Sequence, residues 1–177
     1  MRPVIQILIG ALLLGVAIAA GGLAYVKTTG LRGQPEPGPI ETRMARTIRA
    51  LAIPREMRAR TNPLAGSEGA RWLGLEHFAR YCALCHGNDG SGVKSAIGRG
   101  LLPKPPDMRA LATQGLTDGE LFYIIENGVR FTGMPAFGTG TSDQAGDKQA
   151  WELVTFIRRL PQITADEIGY MESLNPL

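Results

Sequence analysis

From Val4 to Val26 the chain runs 23 residues with a single polar side chain, Gln6. A helix of that length, rising about 1.5 Å per residue, reaches roughly 35 Å, enough to cross a hydrocarbon core of about 30 Å. The pattern predicts an N-terminal transmembrane anchor over residues 1–27. Ala17-Ile18-Ala19 has the small-x-small form of a cleavage site, so a leader sequence is the alternative. Pro35, Pro37 and Pro39 follow at alternate positions and predict an extended tether. From Glu41 to Arg60 the pattern becomes amphipathic. Arg43, Arg46 and Arg49 recur every third residue, Met44, Ile48 and Leu51 share another face, and Pro54 divides the stretch into two short helices.

Beyond the boundary at Asn62-Pro63, three longer helices are predicted. Ser67 caps the first, which runs to about Ala83. Thr117 and Glu120 form a capping-box pattern for the second, which turns Leu121, Ile124 and Ile125 inward and stops at Asn127-Gly128. The third covers Asp147 to Leu160, before Pro161. Long loops, 87–107 and 130–146, separate them. Thr164 caps a short acidic tail helix ending near Ser173. No convincing strand and no internal repeat appears, so the fold class is all-α. The chain divides into an anchor (1–27), a Pro-rich tether with Arg-rich juxtamembrane helices (28–65), a main domain (66–161) and a tail helix (162–177).

Composition changes this picture in two respects. Gly (23) and Pro (12) are abundant for a helical protein, so the long loops need a template such as a buried cofactor. The net charge of +3 is unevenly spread: residues 1–65 carry +6 and residues 66–177 carry −3. The main domain therefore offers no basic surface for nucleic acid, whereas the basic connector suits anionic lipid or a partner subunit.

The chain has two cysteines, and both lie in Cys82-Ala83-Leu84-Cys85-His86. A disulfide framework is excluded by count, and a tetrahedral zinc site lacks ligands, because His77 and His86 are the only histidines. Two thiols on one turn beside an imidazole are the arrangement that attaches one haem c covalently: each thiol adds to a vinyl group, and the histidine meets the iron. His86 is thus the expected proximal ligand. Its second ring nitrogen is expected to donate to a backbone carbonyl of the proline-rich loop, with Pro103 ahead of Pro105 and Pro106. His77, on the same helical approach, cannot reach the opposite face and reads as a rim histidine. Met134 lies 48 residues beyond His86, in Gly133-Met134-Pro135-Ala136-Phe137-Gly138, and is the expected second axial ligand. Met108 reads as core.

These residues resemble class I, monohaem c-type cytochromes over roughly Ser67 to Leu160. In that family the first and last helices cross in front of the haem. Gly74 and Phe78, eight and four residues before Cys82, match the pattern, with Trp151, Leu153 and Phe156 as the apolar face of the last helix. The resemblance implies three main helices and long loops wrapped around one covalent haem. It also implies attachment outside the cytoplasm, which places the residues after Lys27 on the periplasmic side of an inner membrane.

Filled axial positions leave no site for a substrate, so the expected function is outer-sphere electron transfer rather than catalysis. The domain would be a membrane-tethered carrier or a haem subunit of a respiratory or photosynthetic complex, with a redox donor and acceptor as partners and lipid around the anchor. Phe131, Phe137 and Ile97 are expected to shield the haem and raise its potential. If Met134 does not bind iron, the alternative is a five-coordinate haem sensor or a peroxidase-like enzyme.

Overall fold

A computed structural model describes residues 2–30, 38–138 and 144–175, with no strand among them. The chain forms two compact units, residues 1–35 and 36–177. The first is a single helix, α1 (Arg2–Thr29), long and apolar enough to cross a membrane. From Pro3 to Thr28 its side chains are exposed.

The second unit opens with α2 (Pro39–Ala52) and the single turn α3 (Arg55–Arg58). Ser67 caps α4 (Glu68–His77), its hydroxyl accepting from Ala70 N. The expected helix does not stop at Ala83. It widens through a π turn (Phe78–Cys82), where Ala83 N bonds to Phe78 O, and continues as α5 (Ala83–His86). Two short helices, α6 (Ala96–Gly100) and α7 (Leu111–Gln114), lie where the sequence pattern shows loop or nothing. The Thr117–Glu120 capping box opens α8 (Asp118–Asn127). Helix α9 (Gln144–Arg159) begins three residues earlier than expected and passes into a 3-10 turn (Leu160–Gln162) at Pro161. A second capping box, Thr164 with Glu167, opens α10 (Ala165–Leu174).

The core lies where α4 crosses α9. Gly74 makes the crossing close: a Cβ there would overlap the Glu152 carbonyl. The Phe78 and Phe156 rings meet with centroids 5.3 Å apart and planes inclined at 59°. Leu75, Val154, Leu160 and Met171 are fully buried around them. Helix α8 joins α9 through Phe122, stacked 4.2 Å from Trp151. The Arg60 guanidinium lies over both rings, 4.4 and 5.2 Å from their centroids. Asn62 Nδ2 donates to Trp151 O (3.1 Å) and Thr155 Oγ1 (2.9 Å), and Ile53 is buried. The connector from Ile53 onward is therefore part of this fold.

Helix α10 packs on α4. Met171 enters the core, Trp72 and Tyr170 meet edge-on at 6.0 Å, and buried Glu167 pairs with Arg71 (2.6 Å) and Arg159 (3.6 Å).

Candidate haem site

Cys82, Cys85 and His86 fall on a little over one turn, at the end of the continuous helix from Glu68. Neither thiol is in a disulfide. Burial, aided by the neighbouring Cys85, pushes the Cys82 thiol up to about 12, so it is neutral. His86 is buried and its ring centroid lies 6.3 Å from that of Phe78, at the helix crossing. Burial lowers its pKa to about 4, which leaves the imidazole uncharged and its lone pair available at ordinary pH. His86 Nδ1 is buried without a hydrogen-bond partner. A neutral, enclosed imidazole beside two unpaired thiols fits covalent haem with iron as its ligand group, and the orphaned Nδ1 fits the backbone acceptor that orients such a ligand.

The segment after His86 folds back over the attachment turn. Gly92 N donates to His86 O (2.7 Å), and Met108 N to Gly90 O (2.9 Å). Ser95 links two elements: its hydroxyl donates to Leu84 O and accepts from Gly98 N. Gly98 then sits against the Cys85 carbonyl so closely that a Cβ would overlap it. Asp89, also buried, pairs with Lys94 (2.9 Å) and Arg109 (3.5 Å) and accepts from Ser91 N. Burial works to raise its carboxyl, but hydrogen bonds from Lys94 and Ser91 and the Lys94 charge outweigh burial and hold it below the usual range. Ser95, Gly98 and Asp89 escaped the sequence reading. The Ser-x-x-Gly cap that begins α6 was the available signal, but it is short.

Met134 is half-buried in a loop tied to the end of α8. Val129 N donates to Met134 O, Met134 N to Thr132 Oγ1, Phe137 N to Ile125 O and Gly138 N to Glu126 O, at 3.0–3.1 Å. Tyr81, which precedes Cys82, and Phe137, three residues after Met134, line one cavity together with Ile125 and Leu153. The fold thus brings the methionine loop to the attachment helix. Pro103 is exposed, while the Pro105 carbonyl packs against Gly92. Met108 is core, as expected, and His77 is a rim residue whose Nε2 lies 3.4 Å from buried Glu152.

The three loop side chains expected to shield the haem differ in exposure. Phe131 is 93% exposed because its backbone takes a left-handed turn (φ 63°) that carries the ring outward. Ile97 and Phe137 are 48% and 40% exposed.

Residues 73–157 match the family model described as cytochrome c oxidase, cbb3-type, subunit III. No curated protein matches the chain. The matched segment starts one residue before Gly74, takes in the attachment turn and the Met134 loop, and ends within α9. Pattern, helix crossing and family match agree: residues 73–157 form a c-type cytochrome domain, which takes one covalent haem c with iron, behind an N-terminal helix apolar and long enough to be its membrane anchor.

Proposed function

We propose that this chain is a single-electron carrier held at a membrane by α1, with its haem joined to Cys82 and Cys85 and its iron ligated by His86 and Met134. The haem supplies a reversible one-electron change at iron. The chain's own residues do the rest. The thiols fix the ring to α5, and the helix crossing holds the imidazole. The loop from Gly128 to Gly138, pinned to the α8 end, delivers the thioether. Pro103 is the proposed carbonyl partner of His86 Nδ1; support comes from the buried, unpartnered nitrogen, while the carbonyl that packs on Gly92 is that of Pro105. With both axial positions taken by side chains, electrons enter and leave through the haem edge, and the protein is not an enzyme by itself.

The observation that carries this reading is the buried His86 imidazole, neutral and beside two unpaired thiols; Phe137 of the Met134 loop and Tyr81 of the attachment helix line one neighbouring cavity, which Cys82, Cys85, His86 and Met134 do not themselves line. The partners would be a donor and an acceptor in a membrane electron-transfer chain, consistent with the oxidase subunit that the family model describes. The domain would lie on the outer face of the membrane, where covalent attachment takes place in the cytochromes it resembles, either as a tethered carrier or as a fixed haem subunit.

The ferric optical spectrum tests the ligand set. Sulfur ligation gives a weak far-red sulfur-to-iron charge-transfer band, and Met134→Ala abolishes it and lowers the midpoint potential. A variant that kept both would remove Met134 as ligand and favour the five-coordinate sensor or peroxidase reading.

A further inference from the structure

Helix α2 is built inside out. At about 100° per residue, Ile40, Met44, Ile48 and Leu51 fall within roughly 80° of one another. They form one apolar stripe, and all four are exposed, at 75%, 58%, 62% and 80%. The only α2 residues that are not fully exposed are Thr42 and Arg49, on the opposite side. Arg49 reaches toward the domain: its Nε is buried without a hydrogen-bond partner, and it feels the Glu120 charge of α8. A surface helix of a water-soluble domain turns its apolar stripe inward and its charges out. Helix α2 does the reverse, and nothing among the described residues covers the stripe.

Charge and chain length identify the cover. Residues 38–60 carry six arginines and two glutamates. Arg43 is exposed at the edge of the stripe, about 100° from its centre, whereas Arg46, also exposed, lies about 160° away, on the face of Arg49. Residues 30–38 connect α1 to α2, and a connection of that length spans at most about 30 Å in any conformation. If α1 is the anchor proposed above, on which this inference rests, α2 can never move far from the bilayer surface. An apolar stripe with an arginine at its edge, on a strongly basic segment, suits the boundary between acyl chains and anionic headgroups.

We propose that α2 is an interfacial helix: Ile40, Met44, Ile48 and Leu51 insert into the surface of an anionic bilayer, Arg43 at the edge of the stripe engages lipid phosphate, and the domain is seated on the membrane through its opposite face.

The test uses the full-length holoprotein in lipid nanodiscs, where Cys82 and Cys85 are consumed by haem. Ile48→Cys and Ala50→Cys variants are alkylated with a water-soluble maleimide; Ala50 is exposed but lies off the stripe. In phosphatidylcholine–phosphatidylglycerol discs, alkylation at position 48 is expected to slow about tenfold relative to phosphatidylcholine discs, with position 50 changing less than about twofold. Adding Arg43→Gln to the Ile48→Cys variant is expected to reduce the protection severalfold. Equal, fast alkylation at both positions in anionic discs would overturn the proposal and leave a protein partner as the cover. Protection indifferent to lipid charge would overturn the role given to Arg43. Alkaline carbonate extraction of native membranes tests the anchor separately. If the chain washes off, the anchor reading falls, and the same alkylation ratio with anionic vesicles added from outside still decides the role of α2.

Discussion

Gly74 and Asn175 show how much of the site depends on single atoms. A methyl group at Gly74 would meet backbone, the Glu152 carbonyl, which cannot swing aside. Gly74→Ala should therefore push α9 off α4 and cost about 1–3 kcal/mol, despite the better helix propensity of alanine. Denaturant unfolding of the holoprotein, followed in the near-ultraviolet, measures it; an unchanged midpoint would refute the close crossing. Asn175 lies at the far end of the chain, yet its Nδ2 donates to Ala79 O within the π turn, and its amide pairs with that of Asn88 (3.0 and 3.1 Å), two residues past His86. Asn175→Ala should lower stability by about 1–2 kcal/mol through this lost cap, readable by the same unfolding assay. Sequence could nominate Gly74 from its spacing to Cys82. Nothing in the sequence nominates Asn175, because 96 residues separate it from its acceptor.

Among the elements, α10 illustrates how a capping pattern underestimates a helix. Thr164 and Glu167 announced its start, but the same Glu167 carboxylate also receives Arg71 and Arg159 and is buried. Burial alone would raise its pKa; hydrogen bonds from Thr164 and the charges of Arg159 and Arg71 prevail and lower it. A depressed folded-state pKa gives stability that is full above the ordinary glutamate value and is lost as pH falls through the lower, folded one. Acidification over that window should loosen α10, and Glu167→Gln should flatten the pH dependence while lowering stability at neutral pH. Thermal midpoints of the two proteins across the acid range check this; parallel curves would deny Glu167 the role. Helices α6 and α7 were not legible, because four or five residues carry too little periodicity. They are held by Ser95, Thr113 and neighbouring backbone rather than by their own propensity.

For the molecule as a whole, the main domain is a core of crossed helices with a glycine-rich loop folded over the attachment turn. The 87–107 loop bonds to itself and to the attachment turn, and the Met134 loop bonds to itself and to the end of α8. Folding and haem attachment should be coupled, since a ligand held only by the folded chain stabilises that state. Cys82→Ser and Cys85→Ser are each expected to yield little folded, haem-bearing protein, as measured by haem content and near-ultraviolet circular dichroism. Wild-type yields of folded haem protein from both variants would show that the loops close without two covalent links.

The sequence by itself determined what covalent and local rules govern: the apolar run of α1, the caps at Ser67, Thr117 and Thr164, the proline stop at Pro161, and the Cys82–Cys85–His86 motif, whose chemistry depends on adjacency along the chain. Tertiary structure decided what depends on contacts between distant residues. It placed the Met134 loop beside the attachment helix, turned Phe131 outward, folded the connector from Ile53 into the core and locked α10 onto α4. It also set the apolar stripe of α2 facing away from the domain. Periodicity reveals that a helix has two faces; which one looks inward is fixed by what packs against it.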